Sequence, residues 1–343
     1  MRRLLNTLYV TTPDSYLACD GENVLIRVNE ETKFRIPVHN LEGIVCFGFA
    51  GASPKLMHLC CERGVALSFL SQYGKFMGRV VGGVHGNVLL RRTQYRWADD
   101  KDISTRLSRR FIAAKIVNSR AVLHRALRDH SATVDQAAME KALSWLAGTL
   151  VRLEKAVDGD GVRGVEGEAA NVYFSNFNQL ILNQKDAFFM NGRNRRPPTD
   201  NVNALLSFLY TLLAHEVSAA LESVGLDPQV GFLHRDRPGR PSLALDVMEE
   251  LRPHFADRLA VTLINRKQIT AGGFTVKENG AVIMSDETRK EVLAAWQKRK
   301  QEEITHPYLE EKIPLGLVPY VQALLLARHL RGDLDDYPPF FWK

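Results

Sequence analysis

Two kinds of hydropathy pattern divide the chain near residue 99. Before that point, short alternating stretches such as Lys33–Val38 are separated by turn residues such as Asp20–Gly21, which is typical of paired strands. After it, apolar residues recur every three or four positions over long segments, which indicates helices. We therefore predict an α+β fold with a small N-terminal β-rich domain (1–95), a linker (96–103) and a larger all-helical domain (104–343).

Individual elements can be predicted within this division. The apolar stretches Leu41–Phe47 and Val65–Leu70 are predicted as central strands with a helix, Ser53–Arg63, between them. Further strands are predicted in these positions: a hairpin of Met77–Val84 with Val88–Arg92, a short strand Val261–Ile264, and a hairpin over Gly272–Met284.

Composition limits the location and the partners of the protein. Lys and Arg exceed Asp and Glu by 45 to 39, and this net charge of +6 slightly favours an anionic partner. We find no continuous apolar run of membrane-spanning length and no hydrophobic signal core at the N-terminus, so we predict a cytoplasmic protein with no membrane association. The four cysteines lack C-x-x-C spacing and are predicted to be buried thiols in a reducing compartment.

The stretch Gly231–Pro253 places a histidine, His234, before a basic turn and an acidic helix. On that helix Asp246, Glu249 and Glu250 are three and four residues apart, so they lie on neighbouring turns. Carboxylates this close repel each other unless a cation lies among them. Mg²⁺ and Mn²⁺ prefer carboxylate oxygens, and one imidazole ligand is compatible with Mn²⁺. The alternative is that these acids are surface charges paired with arginines, either Arg252 or Arg240.

Two other stretches have unusual composition. In Arg163–Phe174, Glu166 lies between Gly164 and Gly167 at the start of a predicted helix, where glycines allow close approach to the carboxylate. In Asn191–Tyr210, a basic turn leads into an apolar helix.

Together these stretches resemble the CRISPR-associated integrase family, the nuclease subunit of the spacer-acquisition complex. The resemblance covers most of the chain, and its motifs are in the family's order: Gly164–Gly167, Arg196–Pro198, Asn203–Tyr210, Gly231–His234, Asp246–Glu249 and Arg252–Pro253. The form of the Ala-Gly-Gly-Phe hairpin and the long carboxy-terminal region are similar to type I branches, subtype C or a relative.

The resemblance implies a catalytic site. Glu166, His234 and Glu249 would bind one Mg²⁺ or Mn²⁺ ion, and Asp246 would be a fourth ligand or an outer-shell base. Such a site can activate a hydroxyl group and stabilise charge on a phosphoryl oxygen. The family joins 3′-hydroxyl ends of short duplex DNA to the repeat array by transesterification, and in isolation its members cut branched or single-stranded DNA.

Arginines near this site are predicted to bind DNA phosphates rather than to recognise bases. They lie in two turns: Arg193, Arg195, Arg196, Arg235, Arg237 and Arg240. They could instead only balance the charge of the acids. A basic helix from about Ser104 could likewise follow a phosphate backbone or simply be solvated.

The resemblance also implies partners. The family forms a homodimer through its β domains, and two dimers flank a dimer of the small second adaptation protein in a heterohexamer. Double-stranded DNA, both prespacer and repeat array, is the substrate, and an iron–sulphur adaptation exonuclease commonly joins the complex in the type I branches. The aromatic tail from Asp335 is predicted to dock on a surface, either of this chain or of a partner.

Two other functions are compatible with the residues alone. A non-catalytic architectural DNA-binding protein would bind DNA fully without any reaction that depends on Mg²⁺ or Mn²⁺. A hydrolase of small phosphate esters would leave the basic helix unexplained. The variants Glu166→Ala and His234→Ala distinguish these hypotheses from the integrase hypothesis.

Overall fold

The computed structural model describes residues 6–48, 50–72, 76–82, 88–194 and 197–342. The chain forms two compact units. The first comprises Met1–His85, Arg289–Glu302 and Pro314–Leu317, and the second comprises the rest. The units are therefore not two consecutive stretches of chain, as domains 1–95 and 104–343 would be.

Strands dominate the first unit, and their bounds are close to the predicted ones. Its elements are β1 (Thr7–Val10), β2 (Tyr16–Asp20), β3 (Asn23–Val28), β4 (Glu31–Pro37), β5 (Gly43–Phe47), β6 (Gly51–Ala52), α1 (Pro54–Arg63), β7 (Ala66–Leu70) and β8 (Phe76–Val80). One sheet has the order β1-β5-β7-β8, parallel except for the antiparallel pair β7–β8. The other has the order β4-β3-β2-β6 and is antiparallel except for β2–β6.

The core of the first unit lies among both sheets and α1. Leu17, Val24, Ile44, Leu56 and Leu67 contribute to it from β2, β3, β5, α1 and β7, and each is almost fully buried. The predicted central strands and the helix between them are confirmed.

The chain turns helical earlier than predicted. Val88–Arg92, predicted as a strand, is the beginning of α2 (Val88–Asp99), so that prediction is wrong. The buried residues Leu90 and Gln94 are four positions apart, which is helical spacing. The acidic run predicted as a linker begins a helix instead, because the Asp100 carboxylate caps α3 (Lys101–His130) by accepting from the backbone N–H groups of Asp102 and Ile103.

The second unit is mainly helical. After α2 and α3 it contains α4 (Gln136–Glu154), α5 (Gly159–Ser175), α6 (Asn201–Ser223), α7 (Ser242–Arg252), α8 (Arg258–Asn265) and α10 (Val318–Leu330), while α9 (Asp286–Lys300) belongs to the first unit from Arg289 onward. Two small two-stranded sheets, β9 (Phe274–Val276) with β10 (Val282–Met284) and β11 (Glu303–Thr305) with β12 (Lys312–Pro314), accompany these helices. The hairpin predicted over Gly272–Met284 is confirmed. The α+β fold, β-rich first and helical second, is confirmed as well.

Helix α6 is long and apolar enough to cross a membrane by length and composition alone, and 61% of its apolar window is buried inside the protein. One strand prediction fails in this unit. Val261–Ile264, predicted as a strand, lies in α8. A π-helical turn, Pro253–Asp257, joins α7 to α8. In Val261–Ile264, tertiary packing overrides the strand preference of the β-branched residues.

Candidate active site

Two carboxylates from different helices meet at one lysine. Glu166 projects from the middle of α5, not from its first turn as the sequence suggested, because Asp158 caps that helix. Glu249 projects from α7 and is only 3% exposed. The Lys115 ammonium, on α3, donates a hydrogen bond to Glu166 Oε1, and its Nζ lies 2.8 Å from Glu249 Oε2.

A second cation holds the other oxygen of Glu249. Arg252 Nη1, one turn later on α7, lies 2.8 Å from Glu249 Oε1. Burial raises the pKa of Glu249, but the charges of Arg252, Lys115 and His234 outweigh it and hold that pKa at about 2. Burial lowers the pKa of Lys115, yet Glu249 and Glu166 raise it more, so the pKa of Lys115 lies above its usual value. Glu249, Lys115 and Arg252 are therefore all charged at neutral pH.

Asp246 fixes the loop that carries His234. Its Oδ2 accepts from the backbone N–H groups of Phe232 (2.6 Å) and Leu233 (3.0 Å). Its Oδ1 accepts from the His234 backbone N–H at 3.0 Å and lies 2.6 Å from His234 Nδ1. With Nδ1 committed to a buried carboxylate, Nε2 is the nitrogen left for a ligand, which is the usual arrangement of metal-binding histidines. Of the two roles predicted for Asp246, this geometry favours the outer one.

An arginine on α5 ties the Glu166 helix to the His234 loop. Arg163 Nη1 donates to the Leu233 carbonyl at 2.7 Å, and its Nη2 donates to Asp160. Arg163 is one turn before Glu166, and Leu233 directly precedes His234. The contact therefore links the positions of the two predicted ligands.

Behind Arg252 lies a network of buried hydroxyl groups. Asp257 accepts from Tyr210 Oη at 2.6 Å and from Tyr173 Oη at 3.0 Å. Burial raises the pKa of Asp257 to about 6 even though both hydroxyls lower it. The guanidinium groups of Arg252 and Arg193 lie 4.9 and 5.2 Å from the centre of the Tyr210 ring, within cation–π range. Both tyrosine hydroxyls are thus bound to one buried carboxyl group.

The predicted arginines have different environments. Arg195 and Arg196 lie outside the described residues. Arg193 is half-buried, and its Nη1 donates to Asn203 Oδ1 at 2.6 Å. Arg235 is exposed and paired with Asp160 at 2.7 Å, while Arg237 is exposed and Arg240 half-buried. Of the four described arginines, Arg235 and Arg237 are exposed, as contact with DNA phosphates would require.

Glu250 does not share the site with Asp246 and Glu249. It is fully buried and accepts hydrogen bonds from Tyr337 and from the Phe340 backbone. The prediction that Asp246, Glu249 and Glu250 lie together on one face of the helix is therefore wrong. Glu249 contacts Lys115, whereas the next residue, Glu250, contacts Tyr337 and Phe340.

The residues fit a divalent cation in chemistry. Glu166 and Glu249 are already gathered around one positive charge, and Glu249 Oε2 meets it as an ion-pair contact rather than through an aligned hydrogen bond. Within the described part of the chain, no three His, Cys, Asp or Glu side chains form a cluster that could hold a metal ion. Glu166 and Glu249 thus meet at Lys115, while His234 Nδ1 meets Asp246.

Lys115 is the main residue that sequence reasoning missed. It lies on the basic helix from about Ser104, for which we predict either contact with a phosphate backbone or solvent exposure, but Lys115 is only 9% exposed. Phe111 and Asn118, four residues before and three after it, are both buried, so Lys115 lies on the inner face of α3. A lysine at a core position of an amphipathic helix is the signal that could have identified it.

Comparisons with known proteins identify the family of the chain. The family model described as "CRISPR associated protein Cas1" matches residues 8–298. The chain is 53% identical to a CRISPR-associated endonuclease Cas1 of Chlorobaculum tepidum and 54% identical to one of Rhodospirillum rubrum, in each case over the whole of both chains. It is 37% identical to a Cas4 exonuclease/Cas1 endonuclease fusion of Geobacter sulfurreducens, covering 97% of this chain and 60% of the fusion.

Solved structures share the fold. A casposase bound to its integration product has a TM-score of 0.83 and 22% identity, with 96% of this chain and 92% of that chain covered. A Cas1 protein from Thermotoga maritima has a TM-score of 0.81 and 22% identity, with 95% and 97% covered. A Cas6-RT-Cas1–Cas2 complex has a TM-score of 0.82 and 22% identity, with 98% of this chain and 36% of that chain covered.

Proposed function

Because the chain belongs to the CRISPR-associated Cas1 family, we propose that it is a divalent-metal-dependent DNA endonuclease and integrase of spacer acquisition. It would join the 3′-hydroxyl ends of short duplex DNA to the repeat array by transesterification. With water as the nucleophile, the same site would hydrolyse branched DNA.

The observation that carries this proposal is the pair of carboxylates, Glu166 and Glu249, drawn around one cation beside an oriented histidine. Glu166, Glu249 and His234 Nε2 would hold Mg²⁺ or Mn²⁺. When bound, the ion would activate the attacking hydroxyl and offset charge on the phosphoryl oxygen.

The protein's other residues would orient these groups. Asp246 keeps His234 in one tautomer and one rotamer, and Arg163 keeps its loop against α5. Arg252 holds Glu249 from the side opposite Lys115. The exposed residues Arg235 and Arg237 would contact DNA phosphates.

Relatives support the proposed partners. One relative is a Cas4/Cas1 fusion, and one structural neighbour is a complex with Cas2. We infer a homodimer that assembles with Cas2 into a heterohexamer, acts on prespacer and repeat DNA in the cytoplasm, and works with an iron–sulphur exonuclease in a type I, subtype C-like system.

The test compares Glu166→Gln and His234→Gln with the matched variant Glu168→Gln. Glu168 is exposed on the same helix, two residues from Glu166, and pairs with Arg152 at 3.2 Å. We expect the first two variants to lose joining and cleavage of DNA in Mn²⁺ by more than about 100-fold while still binding duplex DNA, because each removes a ligand. Glu168→Gln should behave like the parent.

The architectural alternative predicts the opposite result. If Glu166→Gln and His234→Gln react like the parent, or if a chelator leaves the reaction unchanged, the metal site is refuted. If the parent binds DNA but joins and cuts none under any divalent ion, the architectural function is the better account.

A further inference from the structure

The last residues of the chain fold back over the helices of the candidate site. We call residues 334–342 the C-terminal strap. Tyr337 and Phe340 are fully buried, and Asp336 forms an ion pair with Arg110 on α3. The strap therefore docks on its own chain, which the sequence could not decide.

One anchor of the strap is Glu250 on α7. Tyr337 Oη donates to Glu250 Oε1 at 2.7 Å, and the Phe340 backbone N–H donates to Oε2 at 2.8 Å. Gln322 from α10 donates to the same Oε2 at 3.0 Å and to Tyr337 Oη at 2.7 Å. These hydrogen bonds fix both oxygens of the Glu250 carboxyl group. Glu249 is the preceding residue in the sequence.

A second anchor is Asn118 on α3. Its Nδ2 donates to the Glu250 carbonyl at 2.7 Å and to the Phe340 carbonyl at 2.8 Å, and its Oδ1 accepts from the Trp342 backbone N–H at 2.8 Å. One buried amide thus connects α3, α7 and the strap. Asn118 follows Lys115 by one helical turn.

The third anchor is His254, directly after α7. The Trp342 ring stacks on the His254 imidazole with 3.4 Å between ring centres and 19° between planes. His254 is two residues from Arg252. Each of the three anchors is therefore a close sequence neighbour of one charged residue of the candidate site.

We propose that the C-terminal strap is a positioning element of this site, which sets the spacing of Lys115, Glu249 and Arg252 through Asn118, Glu250 and His254. The proposal rests on the proposed function, because its consequence is measured in metal binding and DNA reaction. The strap contacts none of the three charged residues in the hydrogen bonds and ring contacts described here, so it acts through their neighbours. Small displacements of reacting groups cost much more in rate than in stability, and supporting contacts limit such displacements.

The test uses two variants of the full chain and a matched control. Trp342→Ala removes the stack on His254, and Tyr337→Phe removes one hydroxyl from Glu250 while keeping the ring. The control is Trp145→Ala, because Trp145 on α4 is also half-buried and also packs against a polar side chain, the Arg152 guanidinium, 4.3 Å from the ring centre. Trp145 and Arg152 are on α4, away from the strap and from every residue of the site in the sequence.

Three quantities are measured well below the melting temperature of each variant: the Mn²⁺ affinity of the DNA-free protein, and kcat and KM for cleavage of branched DNA. We expect Trp342→Ala and Tyr337→Phe each to lower Mn²⁺ affinity and kcat about tenfold and to leave KM unchanged. Tenfold is the lower end of the range of about 10–100-fold that is typical when a residue supporting a metal ligand is changed. Trp342→Phe should restore most of the loss. Trp145→Ala should change Tm by a similar amount but leave Mn²⁺ affinity and kcat as in the parent.

The strap proposal is overturned if both strap variants match the parent in Mn²⁺ affinity and kcat, or if Trp145→Ala loses as much as they do. Failure of the proposed function looks different, because then Glu166→Gln would also keep Mn²⁺ affinity and cleavage. A parent that neither binds Mn²⁺ nor cleaves DNA overturns both proposals.

Discussion

Lys115→Met tests whether the lysine acts as the cation that holds the two acids together. Methionine keeps the length of the side chain and its apolar contacts but removes the positive charge. Glu166 and Glu249 would then face each other with no ammonium between them, and Glu249 is almost fully buried. We therefore expect the variant to be less stable than the parent when no divalent ion is present.

The size of the loss follows from the burial of the pair. Removing one partner of a buried ion pair costs about 3–5 kcal/mol because a charge is left uncompensated. Arg252 remains 2.8 Å from Glu249 Oε1, so the lower end of that range, about 3 kcal/mol, is expected. Binding of a divalent ion should restore much of the lost free energy of unfolding, because a ligand present at 100 times its Kd stabilises the folded state by about 2.7 kcal/mol.

Urea unfolding measures both effects, with chelator and with Mn²⁺. Lys101→Met, an exposed change at the start of the same helix, should shift the free energy of unfolding by no more than about 0.5 kcal/mol. Mn²⁺ should stabilise Lys115→Met more than the parent, because in the parent the ammonium and the ion compete for the same oxygens. The reasoning is refuted if Lys115→Met is as stable as the parent in chelator, or if Mn²⁺ stabilises the two equally.

Three further changes test the surroundings of the site. Asp246→Asn should weaken Mn²⁺ binding about 10–100-fold in titration calorimetry because it disturbs the His234 tautomer, and an unchanged affinity would contradict that role. Gly231→Ala should cost about 1–3 kcal/mol in urea unfolding, since a Cβ there would lie 2.7 Å from Asp246 Oδ2 and 2.8 Å from the Ser242 carbonyl carbon; a neutral result would show that the loop can shift. Burial raises the pKa of Asp257 to about 6 in the folded protein, against 3.8 for an ordinary aspartate, so the folded state holds this proton more tightly than the unfolded state. The free energy of unfolding of the parent, relative to Asp257→Asn, should therefore fall by about 3 kcal/mol between pH 4 and pH 6 and stay constant above pH 6. Parallel pH curves for parent and variant would contradict it.

Some of the site could be predicted because its parts are close in sequence. His234 and Asp246 are twelve residues apart, and a short turn followed by a helix brings them together. The period-two and helical patterns likewise predicted most elements of both regions. Glu166, by contrast, is connected to Glu249 only by tertiary packing, so its assignment depended on the family resemblance.

The two failures at the site have a common physical cause. Lys115 and Glu250 are ionisable residues on inner faces of helices, where composition alone suggests solvent exposure. Their burial becomes possible only through partners far away in the chain: Glu166 for Lys115, and Tyr337 for Glu250. Such partners are fixed by tertiary structure and leave no local pattern.

The most direct test of the metal site is pulsed electron paramagnetic resonance on the protein loaded with Mn²⁺. The account predicts hyperfine coupling from one directly bound imidazole nitrogen, which disappears in His234→Gln, and loss of tight Mn²⁺ binding in Glu166→Gln. A Mn²⁺ signal with no nitrogen coupling, or with coupling that survives His234→Gln, would contradict the claim that these residues hold one ion.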